Sequence, residues 1–311
     1  MTYARIVGTG SYLPERVVSN KDLEKTMDTS DEWIRERTGI KRRHIAAEGE
    51  SSADMGLVAA QRAIEASGVD IAAIDLIIVG TTTPEKVFPA TACIIQRRLG
   101  VGGCPAFDIQ AACSGFVFGL DLAKRQIETG GASCALVIGA EKLSSLVDWE
   151  DRGTAVLFGD GAGAVLLQAS DEPGILSTHI HSDGQYEDLL HVPVESGLIE
   201  MNGNAVFRKA VSMLDSMARE IIADNQFADG ELTWLVPHQA NMRIIAAAAK
   251  KTNMPMERVI VTVDEHANTS AASIPLALDV AVRDGRIKAG DMLLLEAFGA
   301  GFTWGSALVR F

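Results

Sequence analysis

Short runs of consecutive apolar residues recur along the chain and predict the strands of its core. In the first half they fall at 75–80, 104–109, 134–139 and 161–168. In the second half they fall at 232–236, 258–264, 291–296 and 305–311. Continuous Val, Ile and Leu runs are typical of strands buried on both faces, as in a parallel sheet covered by helices. The pattern therefore predicts an α/β fold.

The two sets of runs follow one another in the same order, which indicates an internal repeat. The middle pairs lie roughly 155 residues apart, as expected for two copies of one structural unit. Each copy contains a strand that leads into a turn of small residues and then into a helix. We expect two such halves, residues 1–170 and 171–311, packed as a duplicated, five-layered α-β-α-β-α sandwich.

Local signals predict where some of these elements begin and turn. Thr29 and Glu32 fit a capping box that opens a helix, and Gly39 fits the end of that helix. Residues 155–167 (AVLFGDGAGAVLL) predict two strands joined by a hairpin turn at Asp160-Gly161. The glycines also suggest a phosphate-binding loop, but no Gly-Lys-Ser/Thr follows, so that interpretation is disfavoured.

Composition and charge narrow the class of protein. Of the 311 residues, 47% are hydrophobic and 22% are charged, which allows a large core. The formal net charge of −13 argues against nucleic-acid binding. No apolar run reaches the ~20 residues that span a membrane, and the first residues lack the pattern of a secretion signal. We expect a cytoplasmic protein that binds neither nucleic acid nor membrane.

One of the four cysteines has the setting of a nucleophile. Cys113 lies in DIQAACSGF, where a strand ends and a helix begins, and small residues at 111–115 allow a tight turn. The free N–H groups and the dipole at a helix N-terminus favour a thiolate there. The alternative is a buried, inert thiol, which is the interpretation we favour for Cys93, Cys104 and Cys134.

Two further polar residues are expected beside Cys113. His238, in LVPHQAN, and Asn268, in HANTSAAS, each follow a predicted strand, and α/β sheets bind ligands at the carboxyl ends of their strands. In the repeat, Cys113 and Asn268 occupy matching turns, which a pseudo-twofold axis would bring together. A lone histidine or asparagine in a turn is usually structural, so the prediction of a site rests on the coincidence of all three residues.

A metal site is the weaker alternative elsewhere in the chain. His179, His181 and Asp183 alternate along a predicted strand and could be drawn as ligands. A solvated strand face explains the same pattern more simply. None of the cysteines is spaced as CxxC, so we expect reduced thiols and no metal.

Four segments are distinctive enough to indicate a family. They are DIQAACSGF (108–116), VPHQANMRII (236–245), NTSAASIP (268–275) and FGAGFTWGSALVRF (298–311). Together with the opening segments VGTGSYLPERVVSN and TSDEWIRERTGI, they resemble β-ketoacyl-acyl-carrier-protein synthase III of the thiolase-like superfamily. The resemblance runs the length of the chain and implies a Cys-His-Asn triad formed by Cys113, His238 and Asn268.

The resemblance implies a decarboxylative condensation. Cys113 would carry the acetyl group of acetyl-CoA, and malonyl-acyl-carrier protein would bind next. His238 and Asn268 would donate hydrogen bonds to its thioester oxygen while carbon dioxide leaves, giving acetoacetyl-carrier protein. A further oxyanion hole would use the backbone N–H groups of Cys113 and Ala300, in a Gly-Ala-Gly turn where relatives often have three glycines. No cofactor is implied beyond the CoA thioester substrates.

The resemblance also implies surfaces for the substrates. Trp33 and Arg152 would sandwich the adenine ring of CoA. The rest of the CoA path would be lined by Thr29, Arg37, Gly203, Phe207 and Asn241. The acyl pocket would contain Phe158 and Phe298, together with Phe88, which is expected to cross a homodimer interface and close the pocket of the neighbour.

A basic stretch stands out on this acidic chain. Between residues 236 and 258, Arg243, Lys250, Lys251 and Arg258 oppose a single acid, Glu257. An acidic carrier protein could dock there, although a solvated helix face is the commoner use of such charges. The expected carrier-binding residues are Arg208, Gln239, Arg243, Lys250 and Lys251.

Several rival functions share parts of this pattern. Degradative thiolases use a second, later cysteine, but no cysteine follows Cys134. Elongating ketoacyl synthases use Cys-His-His, whereas the third residue here is Asn268. A related condensing enzyme of a specialised pathway, using another acyl primer, is the main alternative. A cysteine hydrolase and a non-catalytic acyl-binding protein are the alternatives from other classes.

Overall fold

The computed structural model describes residues 2–225 and 231–311. Its strands are β1 (Tyr3–Tyr12), β2 (Arg16–Ser19), β3 (Arg42–Ile45), β4 (Leu76–Gly80), β5 (Ala106–Ile109), β6 (Cys134–Lys142), β7 (Asp160–Ser170), β8 (Ile175–Ser182), β9 (Leu190–His191), β10 (Glu200–Met201), β11 (Trp234–Pro237), β12 (Met292–Gly299) and β13 (Thr303–Arg310). Its α-helices are α1 (Asn20–Leu23), α2 (Asp31–Thr38), α3 (Ser52–Ser67), α4 (Thr91–Leu99), α5 (Gly115–Glu128), α6 (Arg152–Ala155), α7 (Gly203–Asn225), α8 (Met242–Lys251), α9 (Val263–His266) and α10 (Ser273–Arg283).

Two sheets carry the fold. The first has the order β1-β7-β6-β4-β5, and the second has the order β8-β13-β12-β11. The apolar runs predicted parallel sheets, but both sheets are mixed. Strand β4 pairs in parallel with β5 and β6, and β11 pairs in parallel with β12, whereas the other pairings are antiparallel. A short turn joins β12 to β13, and such a turn reverses the chain.

Helices cover the faces of both sheets and produce five layers. Helices α3 and α4 pack on the outer face of the first sheet, α5 and α10 lie between the sheets, and α7 and α8 cover the second sheet. The middle layer is held by a continuous apolar core that includes Phe116, Leu120, Leu278 and Leu293. The predicted five-layered α/β sandwich is confirmed.

The internal repeat is visible in the spacing of the elements. Strands β4 and β11 begin at 76 and 234, helices α5 and α10 at 115 and 273, and strands β6 and β12 at 134 and 292, so each pair is 158 residues apart. Ala112 and Ser270, also 158 apart, precede the two central helices with φ angles of +45° and +51°. The turns that face each other across the middle of the molecule therefore share one backbone geometry.

Within the described residues, the second sheet has no fifth strand where the repeat predicts one. In the predicted strand 258–264, only Val259 forms a bridge, to Leu235, and α9 follows. The carboxamide of Gln239 forms hydrogen bonds to this segment that a neighbouring strand would otherwise form. Its Oε1 accepts hydrogen bonds from the N–H groups of Thr262 (2.8 Å) and Val263 (3.1 Å). These bonds turn the chain away from the sheet.

Two local predictions are wrong, and one is confirmed. Helix α2 is capped by Ser30, whose Oγ accepts from the Trp33 N–H (3.1 Å), rather than by a box of Thr29 and Glu32. Gly39 ends the helix with a φ of +80°, as predicted. The Asp160-Gly161 hairpin is absent from the described chain, because Asp160 is buried and binds Ala46 and Ser144 at the start of β7.

Candidate active site

Three predicted residues meet where the two halves of the molecule face each other. Cys113 lies in the turn between β5 and α5, His238 directly follows β11, and Asn268 follows α9 rather than a strand. All three line one cavity of about 250 Å³. The structure therefore brings a thiol, an imidazole and a carboxamide together, although up to 155 residues separate them in the chain.

The thiol of Cys113 is protonated at rest, contrary to the expectation of a thiolate. Burial raises its pKa from 9.0 to about 12, the Glu141 carboxylate adds to this rise, and a hydrogen bond with Ser270 opposes it. A rise of this size corresponds to about 4 kcal/mol. The dipole of α5 offsets at most ~2 kcal/mol. Reaction at Cys113 therefore requires a group that takes its proton.

The imidazole of His238 is neutral and is hydrogen-bonded through Nδ1. Burial lowers the pKa of His238 to about 3. Its Nδ1 lies 2.6 Å from Ser273 Oγ, and that oxygen also accepts a hydrogen bond from the Gln239 N–H (3.2 Å). A hydroxyl proton donated by Ser273 to Nδ1 leaves the imidazole proton on Nε2. In this tautomer His238 donates a hydrogen bond from Nε2 and cannot act as a base there.

The carboxamide of Asn268 is oriented by the neighbouring backbone. Its Oδ1 accepts a hydrogen bond from the Ser270 N–H (2.8 Å), so the Nδ2 amide is the end left to serve the cavity. Its backbone N–H donates to Leu157 (2.9 Å), and its carbonyl accepts from Gly159 (3.0 Å). Two neutral N–H donors, on His238 and Asn268, therefore line the cavity beside the thiol. Such a pair can stabilise negative charge that develops on a substrate oxygen.

The turn after β12 approaches the backbone amide of the thiol. A Cβ added to Gly299 would lie 2.6 Å from the Cys113 nitrogen, so only glycine fits at that position. The next residue, Ala300, lines a second cavity of about 500 Å³ together with Cys113. The predicted oxyanion-hole residues are therefore neighbours. The sequence analysis assigned no role to Gly299 or Ser273. The only sequence feature that could have indicated one is that both lie in segments rich in small residues, FGAG and NTSAAS.

Most of the residues implied for CoA lie along the first cavity. Those that line it are Trp33, Arg37, Gly203, Phe207 and Asn241. Arg152 lies beside it, with its guanidinium 4.9 Å from the centre of the Trp33 ring. An adenine ring placed between these two side chains would require Arg152 to move away. The Thr29 hydroxyl is buried and makes no hydrogen bond to the described residues, so it is not presented to the cavity.

The implied acyl-pocket residues separate into two groups. Phe158 and Phe298 line the cavity, and the Phe298 ring packs edge-on against His238 at 5.5 Å between centroids. Phe88 is 82% exposed and lines neither cavity of its own chain. Val87 and Val194 are also almost fully exposed.

The basic residues implied for carrier binding are only partly available. Arg208, Arg243 and Lys250 are exposed, and the Arg243 guanidinium lies 4.8 Å from the Phe207 ring at the cavity. Lys251 is paired with Asp215 at 3.0 Å. Gln239 was predicted wrongly, because it is 1% exposed and its amide bonds the chain between Pro237 and Val263.

The histidine pair on β8 is not a solvated face, as the sequence suggested. His179 contacts Glu220 (3.4 Å) and Asp224 (3.2 Å) of α7, and His181 contacts Glu220 at 2.8 Å. Across residues 2–225 and 231–311, no group of three or more His, Cys, Asp or Glu side chains is placed to hold a metal ion. In the same part of the chain, every helix is too short or too polar to cross a membrane.

Two family descriptions match the regions that carry these residues. The family described as 3-oxoacyl-[acyl-carrier-protein (ACP)] synthase III matches residues 107–184, which include Cys113. The family described as the C-terminal part of the same synthase matches residues 222–311, which include His238 and Asn268. Together the two matches cover more than half of the chain.

Individual proteins match over the whole chain. A β-ketoacyl-[acyl-carrier-protein] synthase III from Thioalkalivibrio sulfidiphilus is 60% identical to this chain, and the match covers 100% of both chains. The crystal structure of a 3-oxoacyl-[acyl-carrier-protein] synthase III from Aquifex aeolicus is 49% identical, with a TM-score of 0.96 over 99% of this chain and 100% of that one. The crystal structure of the priming β-ketosynthase from the R1128 polyketide pathway is 39% identical to this chain, with a TM-score of 0.93. The match covers 99% of this chain and 96% of that one.

Proposed function

The chain belongs to the β-ketoacyl-acyl-carrier-protein synthase III family, and on this premise we propose that Cys113 is its nucleophile and that acetyl-CoA and malonyl-acyl-carrier protein are its substrates. As a member of this family it is a condensing acyltransferase of fatty acid synthesis. One observation carries the proposal. A thiol and two N–H donors line the same cavity, which is the set of groups that acyl transfer and decarboxylation require.

In the first half-reaction the acetyl group moves from CoA to the enzyme. The Cys113 thiol gives up its proton as its sulfur attacks the thioester carbonyl, and CoA leaves as a thiolate that takes up a proton. The oxygen of the tetrahedral intermediate accepts hydrogen bonds from the backbone N–H groups of Cys113 and Ala300. Gly299 keeps the space around this amide open, because any side chain there would collide with it.

In the second half-reaction the malonyl group loses carbon dioxide. The electron pair of the breaking bond passes into the thioester carbonyl, whose oxygen accepts hydrogen bonds from His238 Nε2 and Asn268 Nδ2. Donors that are already fixed by Ser273 and Ser270 do not have to reorganise as the charge develops. The resulting carbanion attacks the acetyl carbon, and Cys113 leaves as the thiolate.

Variants of the three residues separate the two half-reactions. Cys113→Ala is expected to lose condensation and retain decarboxylation of malonyl-carrier protein, because both donors remain. His238→Ala and Asn268→Ala are expected to retain acetylation of Cys113 and to lose decarboxylation by about 100-fold or more. Acetylation is measured by mass spectrometry, and decarboxylation by release of labelled carbon dioxide. The reverse pattern would overturn the assigned roles.

We propose that CoA enters along Trp33, Arg37, Gly203, Phe207 and Asn241. The Trp33 ring supports this path, because the guanidinium groups of Arg37 and Arg152 already lie over it. A small shift of these groups would let the adenine ring of CoA stack between them and Trp33. No cofactor beyond the thioester substrates is part of the proposal. The cytoplasm is the proposed location.

We propose that the carrier protein docks on Arg208, Arg243 and Lys250. Arg243 lines the cavity, and Arg208 and Lys250 are exposed on α7 and α8, on a protein whose net charge is −13. Arg243→Glu is expected to weaken carrier binding at least tenfold and to leave acetylation of Cys113 by acetyl-CoA intact. Arg219→Glu, at an exposed position on α7 paired only with Asp215 in the described contacts, is the comparison variant. Unchanged carrier affinity in Arg243→Glu would defeat this docking site.

We also propose that the enzyme is a homodimer in which Phe88 reaches the neighbouring subunit. The high exposure of Val87 and Phe88, which are neighbours in the chain, supports this, because adjacent apolar side chains exposed on a surface typically mark an interface. The test is the molar mass in solution of the wild type and of Phe88→Asp. A monomeric wild type would contradict the proposal.

A second candidate function differs only in the primer. The 39% identity to a priming β-ketosynthase of a polyketide pathway favours keeping this candidate. A panel of acetyl-, propionyl-, isobutyryl- and longer acyl-CoAs, each tested with malonyl-carrier protein, distinguishes the two. A strong preference for a primer longer than acetyl would support the specialised pathway.

A further inference from the structure

An arginine that the proposed mechanism does not use is fully buried near the first cavity. Arg43, on β3, is 0% exposed, and no carboxylate among the described residues pairs with it. Burial lowers its pKa only to about 10, so the guanidinium stays charged at neutral pH. A buried charge without an opposite charge costs stability. Its presence must therefore be explained by the hydrogen bonds that the guanidinium donates.

These hydrogen bonds join the N-terminal part of the chain to the wall of the cavity. Nη1 of Arg43 donates to the Asn20 Oδ1 (2.9 Å) and to the Val18 carbonyl (3.3 Å). Nη2 donates to the Val156 carbonyl (2.9 Å), and Val156 lines the cavity. A planar guanidinium can bond several acceptors at once because its N–H groups point outward from one plane. The single nitrogen of a lysine side chain cannot reproduce that arrangement.

The segment that Arg43 bonds also supports Asn268. The Asn268 N–H donates to the Leu157 carbonyl (2.9 Å), and the Asn268 carbonyl accepts from the Gly159 N–H (3.0 Å). Phe158 and Asn268 thereby form a parallel bridge. The backbone of Asn268 is therefore held on both sides by residues that directly follow Val156.

The packing around Gly159 leaves little room for this segment to move. A Cβ added to Gly159 would lie 2.8 Å from the His266 carbonyl oxygen and 3.2 Å from the Arg43 Cβ. Strand β3 and the residues just before Asn268 therefore contact the segment from two sides. A shift of the segment would be passed on to Asn268.

The two residues before Arg43 contact α9 instead. Lys41 pairs with Asp264 (2.8 Å), and Arg42 pairs with Glu265 (2.9 Å). Both ion pairs are partly exposed to solvent, and such pairs contribute little to stability. Arg43 differs from them because its side chain bonds the wall of the cavity from inside the protein.

We propose that Arg43 is a positioning residue for decarboxylation, which fixes Asn268 in place through residues 156–159. This inference rests on the proposed role of Asn268 as a donor to the thioester oxygen. Acetylation does not depend on this contact, because Cys113 and Gly299 belong to the turns that follow β5 and β12. Arg43 is therefore expected to serve one half-reaction and not the other.

The direct test is Arg43→Lys, which keeps the charge and removes the planar set of donors. We expect the maximal rate of malonyl-carrier-protein decarboxylation to fall ~100-fold, as for a reacting group displaced by ~1 Å. The carrier-protein concentration at half the maximal rate is expected to be unchanged. Acetylation of Cys113 is expected to keep the wild-type rate, and one acetyl group per chain shows that the variant is folded.

Arg42→Lys is the matched control. It changes the adjacent arginine of the same strand, whose exposed partner is Glu265 on α9. Both half-reactions are expected to keep their wild-type rates in this variant.

A double variant separates positioning from a general loss of structure. If Arg43 acts through Asn268, adding Arg43→Lys to Asn268→Ala removes nothing further from the residual decarboxylation. A general distortion would slow both half-reactions and would add its own loss to that of Asn268→Ala. Gly159→Ala displaces the same segment without changing a charge, and it is expected to show the same selective loss of decarboxylation as Arg43→Lys. It decides the question if Arg43→Lys does not fold.

Three results would overturn the inference. They are wild-type decarboxylation in the folded Arg43→Lys or Gly159→Ala protein, equal losses in the two half-reactions, and a further loss in the double variant. Wild-type decarboxylation in Asn268→Ala alone is a different outcome. It would remove the donor on which the inference depends, and with it the role that the proposed function gives to Asn268.

Discussion

At the scale of single residues, the backbone amide of Cys113 keeps its position because residue 299 is a glycine and has no side chain to collide with it. A Cβ there would lie 2.6 Å from the Cys113 nitrogen and 3.1 Å from the Ala112 Cβ. We therefore expect Gly299→Ala to displace the oxyanion donor and slow acetylation of Cys113 ~100-fold. Gly102→Ala, where an added Cβ meets nothing within 4 Å, is the control and keeps the wild-type rate. Equal rates in the two variants would refute this role of Gly299.

The second prediction at this scale concerns the tautomer of His238. Ser273→Ala removes the donor to Nδ1, so the Nε2 proton is no longer fixed and decarboxylation is expected to fall 10–100-fold, roughly as for other residues that orient a reactive histidine. Acetylation of Cys113 is expected to be unchanged. NMR of the His238 ring nitrogens is expected to show the Nε2–H form in the wild type and a mixture in the variant.

Ser306→Ala is the comparison for that experiment. The Ser306 hydroxyl is also buried, but it makes no hydrogen bond to the described residues, so its removal is expected to leave both half-reactions unchanged. An Nε2–H signal that persists in Ser273→Ala would show that another contact sets the tautomer.

The reactive residues could be identified from the sequence, but the residues that orient them could not. Cys113, His238 and Asn268 lie in distinctive motifs. Ser273 and Gly299 act through contacts with residues 35 and 186 positions away, and a small residue in such a segment has no unusual pattern. Gln239 was misassigned for the same reason, because only the fold shows that its amide is consumed inside the chain.

At the scale of elements, strand β12 buries a carboxyl group at a cost that depends on pH. Neither carboxyl oxygen of Glu296 has a hydrogen-bond partner within the described residues, and burial raises its pKa from 4.5 to about 8. As the pH rises above 4.5, the unfolded chain loses this proton before the folded chain does. The contribution of Glu296 to stability is therefore full below pH 4.5 and declines up to about pH 8.

Glu296→Gln removes this dependence. We expect the stability of the variant relative to the wild type to increase by about 4 kcal/mol between pH 4.5 and pH 8, measured by chemical denaturation. Glu257→Gln, at an exposed position, is the control. A difference between Glu296→Gln and the wild type that does not change with pH would contradict the burial argument.

Apolar runs located most of the strands, because burial on both faces leaves a continuous signal. They failed at 258–264, where the residues are apolar enough for a strand but the Gln239 side chain turns the backbone away. The Asp160-Gly161 hairpin failed because a local turn signal does not reveal that the Asp160 carboxylate is buried among three donors. Side-chain-to-backbone bonds between distant segments override local patterns at both places.

At the scale of the whole molecule, two equivalent aspartates join the halves. Asp121 of α5 accepts from Thr178 of β8 (2.6 Å), and Asp279 of α10 accepts from Thr9 of β1 (2.7 Å). Both aspartates are 1% exposed and 158 residues apart, and each also binds the arginine four residues later. Each half thus anchors its central helix to the edge strand of the other.

We expect Asp279→Ala to lower the free energy of unfolding by about 3 kcal/mol, because it leaves the buried Thr9 hydroxyl and its neighbours without an acceptor. Asp121→Ala is expected to have a similar effect. Asp284→Ala removes an exposed partner of Arg286 and is expected to cost less than about 0.5 kcal/mol. Urea denaturation at one protein concentration measures all three, and equal losses in Asp279→Ala and Asp284→Ala would contradict the anchoring role.

One thiol, Cys113, is proposed to carry the acyl group between two substrates. The most direct measurement follows the mass of the Cys113-containing peptide when the wild-type enzyme receives acetyl-CoA and then malonyl-acyl-carrier protein. We expect one acetyl group on Cys113, which disappears on the second addition as acetoacetyl-carrier protein and carbon dioxide form in equal amounts. An acetyl group on another residue, or its release as free acetate without a new carbon–carbon bond, would contradict this role of Cys113.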